Sequence, residues 1–235
     1  MQFTIERSEI RSDWPLAITA DMVLQRQGAH AAKVRMRQPR LVALAERAVA
    51  EGKSLIQPQV VYRILKIQEV NPEAVILRRD LQIRGASIAR KLASAKFLAI
   101  AVATVGAALE QQVLRVMKED ASFALALDGY GTAAVGALTV AMRKYFAELA
   151  REEQLTTTAP VYPGANDWDL ASAQAELFSI VNAAAIGVRL NSSFLMQPCK
   201  SVSMVIGIGP NMHSAGEPCE ECGASATCRH RVSEP

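Results

Sequence analysis

"KFLAIAVATVG", residues 96–106, decides how the rest of the chain is read. From Phe97 to Leu109 runs the longest apolar or small stretch in the sequence, yet it falls short of the ~20 residues that a bilayer-spanning helix needs and carries Thr104 and Gly106. The run is predicted as a strand buried on both faces that closes on Gly106. Upstream, "QVVYRILKIQEV" (59–70) and "EAVILR" (73–78) read as two more strands around the turn signal "NPE", and "MQFTIER" (1–7) alternates as an opening strand. "QPRLVALAERAVAEG" (38–52) places Leu41, Leu44, Ala45 and Ala48 on one helical face, with Gly52 at its end. Downstream, "AALEQQVLRVMKED" (107–120) spaces Leu109, Val113, Val116 and Met117 as a helix. Residues 121–154 read as one mostly helical stretch interrupted by Gly129, Gly131 and Gly136, glycines that imply close approach of another group. "VYPGANDWDL" (161–170) is a loop turning at Pro163-Gly164. Asp169 is placed to cap a helix whose Leu170, Ala173, Leu177 and Val181 share a face. "GVRLNSSFLMQPCKSVSMVIGIG" (187–209) reads as strand, polar loop around Pro198, and strand.

Strands and helices mixed in this order give an α+β class: one domain over 1–209 and an irregular Cys-rich tail over 210–235. With 235 residues, half of them apolar, the chain can bury a core without disulfides or metal. Residues 1–20 carry charges throughout and lack a signal-peptide pattern, so the expectation is a soluble, cytoplasmic protein with no membrane partner. A net charge of +3 is too small to argue for nucleic acid. The basic segment "ILRRDLQIRGASIARKLASAK" (76–96) has no aromatic residue to stack a base and reads as a solvated helix face.

All four cysteines, Cys199, Cys219, Cys222 and Cys228, lie near the C-terminus and cannot staple the body of the chain. Cys219-x2-Cys222-x5-Cys228 can present three thiolates to one metal; Cys199, His213 or His230 could supply a fourth ligand. Zinc and an iron–sulfur cluster both accept such a set, and free thiols on a tail remain the plain alternative. "GIGPNMHSAG" (207–216) contains G-x-G, but it is read as following the last strand and opening no helix, which argues against a dinucleotide fingerprint. Asp128, amid apolar and glycine positions, either lines a pocket or caps a helix break.

Four segments in order resemble one family, the activation (reactivation) domain of cobalamin-dependent methionine synthase. "TVGAALE" (104–110) is similar to its T-x-G-x-x-L-E junction, and "LALDGYGTAAV" (125–135) to its L-D-x-x-G-x-A-A-V helix. "YPGANDWDLASAQAELFSIV" (162–181) resembles its P-G-Y-x-D-W-x-L loop and helix. "IGVRLNSSFLMQPCKSVSMVIGIG" (186–209) resembles its I-G-V-x-L-x-x-S-x-M-x-P-x-K-S-V-S segment. The Cys-rich ending looks like the tails of free-standing members. The resemblance implies a curved antiparallel sheet with packed helices and a place in methionine biosynthesis. It implies an accessory role in which S-adenosylmethionine and an electron donor, such as a flavodoxin or ferredoxin, restore an inactive Co(II) corrinoid held by a partner methyltransferase.

Where the family has an Arg and a Tyr for S-adenosylmethionine this chain has Pro160 and Ala165, and Gly136 stands where an acidic residue is expected. Binding would then fall to backbone groups with Tyr162, Gly164, Asn166, Asp167, Asp128, Ser193 and Lys200. The cleft is expected where residues 162–168 meet "SSFLMQPCKS" (192–201). Two roles follow: a reactivation catalyst with an electron-relaying tail cluster, or a non-catalytic module that docks on a corrinoid protein and has lost S-adenosylmethionine.

Overall fold

The structure, a computed structural model, describes residues 3–165 and 168–212. In chain order its elements are β1 (Ile5–Arg11), α1 (Ala20–Arg26), α2 (Ala31–Arg37), α3 (Pro39–Gly52), β2 (Gln59–Lys66), β3 (Glu69–Asn71), β4 (Ala74–Arg78), β5 (Leu81–Arg84), α4 (Ala86–Lys91), β6 (Phe97–Thr104), α5 (Ala108–Val116), α6 (Ala121–Glu152), β7 (Thr156–Thr157), α7 (Leu170–Ile180), β8 (Arg189–Leu190), β9 (Met196–Gln197) and β10 (Ser201–Gly209). The class is α+β, antiparallel sheets packed with helices, as expected.

β6 is the centre of a five-stranded sheet of order β1-β2-β6-β10-β7. It pairs antiparallel along its whole length with β2 on one side and β10 on the other, Tyr62 and Met204 both lying opposite Ala101. Successive side chains of a strand point to opposite faces, so the run sorts itself by size. Leu98, Ile100 and Val102 face one way, Ala99, Ala101 and Ala103 the other, and all six are at most 1% exposed. Apolar burial on both faces is why the stretch reads as continuous rather than alternating.

The alanine face receives α6. Its Ala134, Leu138, Met142, Phe146 and Ala150 pack on Ala99, Ala101, Ala103, Tyr62 and Met204, and the small strand residues let the helix lie close. The N-terminal half of α6 belongs instead to a helical cluster with α1, α3 and α5, through Phe123, Leu127, Leu24, Ala45 and Leu109. Asp120 starts the helix, its carboxylate accepting from the Phe123 N–H at 3.0 Å. The glycines do not interrupt it: α6 runs unbroken through them, and each admits a neighbour that a side chain would exclude, at a cost in helix propensity. A Cβ on Gly131 would lie 2.5 Å from Leu109 Cδ2, and one on Gly136 would lie 2.8 Å from a terminal nitrogen of Arg26. By length and composition α6 could cross a membrane, yet more than half of its most apolar stretch is buried inside the fold.

The branched face of β6 is covered by shorter pieces: α7, α4, the β3-β4-β5 sheet and a 3₁₀ turn at Ala183–Ile186. Asp169 caps α7 as expected, accepting from the Ser172 N–H at 2.9 Å. Part of the sequence reading is corrected here. Residues 76–84 of the basic segment form the β4-β5 ladder and only Ala86–Lys91 is helical, because Val75, Leu77 and Ile83 bury at strand spacing.

Candidate functional site

β10 begins at a sharp polar corner. Gln197-Pro198 is a cis peptide, the Ser201 hydroxyl donates to the Pro198 carbonyl at 2.7 Å, and the Val105 N–H donates to the Lys200 carbonyl at 3.1 Å. The corner is thereby fixed to the junction between β6 and α5. On the α7 side of the sheet, β10 presents Ser201 and Ser203 where branched residues would otherwise cover β6.

These serines floor a cleft of about 340 Å³ closed by Tyr162, Pro163, Leu170, Gln174, Leu195, Met196 and Cys199. That volume lies within the range of small-molecule sites, roughly 300–1,000 Å³. Ser203 and Gln174, 2% and 3% exposed, are joined by a hydrogen bond from the Ser203 hydroxyl to the amide oxygen at 3.0 Å. The walls combine apolar Leu195, Met196 and Leu170 with hydroxyl and amide groups, and no described lining residue is basic or acidic. Such a lining fits neutral polar groups and does not repel a cationic centre; it offers a carboxylate hydroxyl and amide donors but no cationic side chain.

Round the corner, Lys200 sits in a separate polar cluster. Its Nζ lies 2.8 Å from Asp128 Oδ1 and donates to Thr132 Oγ1 at 2.9 Å, with the lysine side chain 14% exposed. The backbone N–H of Cys199 donates to Glu110 Oε2 at 3.0 Å. Burial, then its contact with Glu110, pushes the Cys199 thiol up from its ordinary value, so it stays protonated as it stands.

The loop at 162–165 and the 192–201 segment therefore do meet, and Tyr162 and Cys199 line the space between them. Gly164 is exposed in the turn, at φ +83° against Leu170. Lys200 and Asp128 meet each other beside the cleft rather than in it, and Asp128 lies within α6 rather than at a helix break. Ser193 is exposed in the β8-β9 turn, its N–H on Asn191 Oδ1, and reaches neither group. Asn166, Asp167, Cys219, Cys222, Cys228, His213 and His230 lie outside the described residues. Among the described residues no group of three or more His, Cys, Asp or Glu could hold a metal. The sequence reading missed Gln174, Ser203 and Leu170. Gln174 follows Leu170 by one helical turn and Ser203 follows Ser201 by one strand period, so spacing alone could have placed them.

A larger groove of about 610 Å³ runs between residues 11–17 and the outer face of α6. One end is closed by Arg11, whose guanidinium lies 5.0 Å from the Trp14 ring centroid and 4.6 Å from that of Tyr145. It contains none of the residues that the sequence singled out.

The fold is similar to the crystal structure of the MetH reactivation domain bound to AdoHcy: TM-score 0.53 and 14% sequence identity over 93% of this chain and 85% of that one. No protein-family model matches the chain, and no curated protein matches it. The likeness, at this identity, is one of fold.

Proposed function

We propose that the chain is an accessory of corrinoid-dependent methyl transfer, of the reactivation type, and that the cleft between residues 162–165 and 195–203 is its S-adenosylmethionine site. The observation that carries this reading is the cleft itself, formed by the two segments whose motifs point to that ligand, on a fold shared with a domain solved with AdoHcy. S-adenosylmethionine, when bound, supplies a methyl group. The Ser203–Gln174 pair and Ser201 orient polar edges, Tyr162 and Pro163 hold one wall, and Leu195 and Met196 exclude water. The neutral lining leaves a positively charged donor unopposed; the N–H groups of Gly164 and Ala165 are already spent on the Trp168 and Tyr162 carbonyls, so the place of the absent Arg and Tyr falls to the hydroxyl and amide groups of Tyr162, Ser201 and Gln174. Gly164, Asn166 and Asp167 belong to this loop in the proposal, with Lys200, Asp128 and Ser193 on the side offered to a corrinoid-binding methyltransferase. The tail cysteines, with Cys199 as fourth ligand, would hold zinc or the cluster that receives electrons from a donor protein.

One observation favours a second reading. Pro160 is buried where the family places its Arg, and no described residue lining the cleft is charged, so a carboxylate finds no cationic side chain there. Each charge-assisted hydrogen bond so lost is worth ~1.5–3 kcal/mol. In that reading the chain docks on a corrinoid protein without S-adenosylmethionine.

Calorimetric titration with S-adenosylmethionine, on wild type and on Leu195→Glu, separates the two. Leu195 is 52% exposed, so the substitution sets a carboxylate at the mouth of the cleft, against the carboxylate of the ligand, without unfolding the chain. Saturable heat that Leu195→Glu abolishes at unchanged melting temperature supports the site. Absence of heat in the wild type, with retained binding to a corrinoid protein, transfers the function to docking. For the tail, metal content that persists in Cys222→Ser removes the ligand assignment.

A further inference from the structure

Helix α2 contributes almost nothing to the core, burying only Ala31 of its seven residues. Between Asp21 and Glu46 the chain has no acidic residue, while Arg26, Lys33, Arg35, Arg37 and Arg40 are all cationic. Arg35 is used internally: it holds Asp21 at 2.7 Å and reaches Glu46 at 3.9 Å, tying α2 to α1 and α3. Lys33, Arg37 and Arg40 are exposed and make no ion pair among the described residues.

Their placement is unfavourable for the fold taken alone. Lys33 and Arg37 are one helical turn apart, where like charges repel. Arg40 stands in the first turn of α3, at the positive end of the helix dipole, and that turn carries no acidic residue to offset it. The dipole at the C-terminus of α2 favours Arg35 and Arg37, yet explains neither Lys33 nor Arg40. Between the cations, on the face of Lys33 and Arg37, projects Met36, 84% exposed, the most exposed large apolar side chain described; Leu41, in the first turn of α3, is 40% exposed.

We infer that this corner, α2 and the first turn of α3, is a docking surface for the acidic face of a partner protein. Arg and Met are the residues enriched in protein–protein interfaces, where Lys is depleted, and this corner carries Arg35, Arg37 and Arg40 against the single lysine Lys33. The guanidinium fork matches a carboxylate in two-point geometry, and Met36 supplies an adaptable apolar contact beside Lys33 and Arg37 on the same helix. Nucleic acid and lipid are less well served. No Phe, Tyr or Trp lies between Trp14 and Tyr62 to stack a base or anchor in a headgroup layer, and α2 is short for a membrane-surface helix. None of these residues lines the cleft, so the inference stands apart from its ligand.

The test uses the full chain and a fluorescent peptide of Glu-Glu-Leu repeats, read by anisotropy at low and physiological salt. Binding that weakens with salt, and more than about tenfold in Arg37→Glu/Arg40→Glu at unchanged melting temperature, is the expected result. Met36→Ser, which keeps every charge, should erase the preference for that peptide over one of Glu-Glu-Ser repeats. Equal binding by the charge-reversed protein overturns the inference. So does tighter binding, at the same salt, to duplex DNA or phosphatidylserine vesicles than to the peptide.

Discussion

The two faces of β6 meet the rest of the molecule in different ways. The alanine face is matched by one continuous helix, which separately uses glycines to admit Gln27, Leu109 and Arg26 on its other sides. The branched face is matched by α7, α4 and a small separate sheet, pieces too short to cover all of it. Where they stop, β10 carries Ser201 and Ser203 and the cleft opens. Small residues thus mark the side where packing is tight, and large ones the side where room is left for a ligand.

The largest effect is expected on the branched face. Ile100→Ala removes a fully buried side chain and should cost about 2–5 kcal/mol in denaturant unfolding. Ala101→Leu, its neighbour on the other face, should cost about 1–3 kcal/mol by overpacking against Tyr62 and Met204. A neutral Ala101→Leu would break the comparison, because it would show spare room under α6.

The two glycines sharpen it within one helix. Gly131→Ala drives a methyl into Leu109, which is fully buried and cannot swing away, and should destabilise. Gly136→Ala meets only the mobile end of Arg26, so the gain in helix propensity, up to about 1 kcal/mol, should raise the melting temperature. Equal signs at the two positions would mean that helix propensity alone governs both.

The smallest effect is pH-linked. Hydrogen bonds from the Ser172 backbone N–H, then from its hydroxyl, hold the Asp169 carboxyl below its ordinary range. Its contribution to α7 is therefore present above the unfolded value, about 3.9, and is lost as pH falls through the lower folded one. The melting-temperature gap between wild type and Asp169→Ala should be open at neutral pH and close in that acid window; a constant gap would assign the effect to helix propensity.

The sheet was legible because burial on both faces leaves continuous β-branched and apolar runs bounded by turn signals: residues 59–66 and 97–104 could be little else. The α7 cap was legible because Asp169 precedes an apolar face. What escaped were contacts set by the far side of a neighbour. Nothing local to Gly136 announces Arg26, and nothing near Asp128 announces Lys200, which is brought there by the β10 corner. The basic run at 76–96 was misread because its charges lie on the solvent side of a ladder whose buried residues are few. The cleft was half legible: two motif-bearing loops pointed to it, while Gln174 was hidden on a helix face that otherwise reads as core.

α6 spans 32 residues, about 48 Å, and sits in two clusters at once: the helical one at its N-terminal half and the sheet at the other. Opening its middle turns requires both to come apart. Its central amides should accordingly exchange with solvent only in global unfolding events, at the slowest rates in the chain, and the two clusters should melt in a single transition.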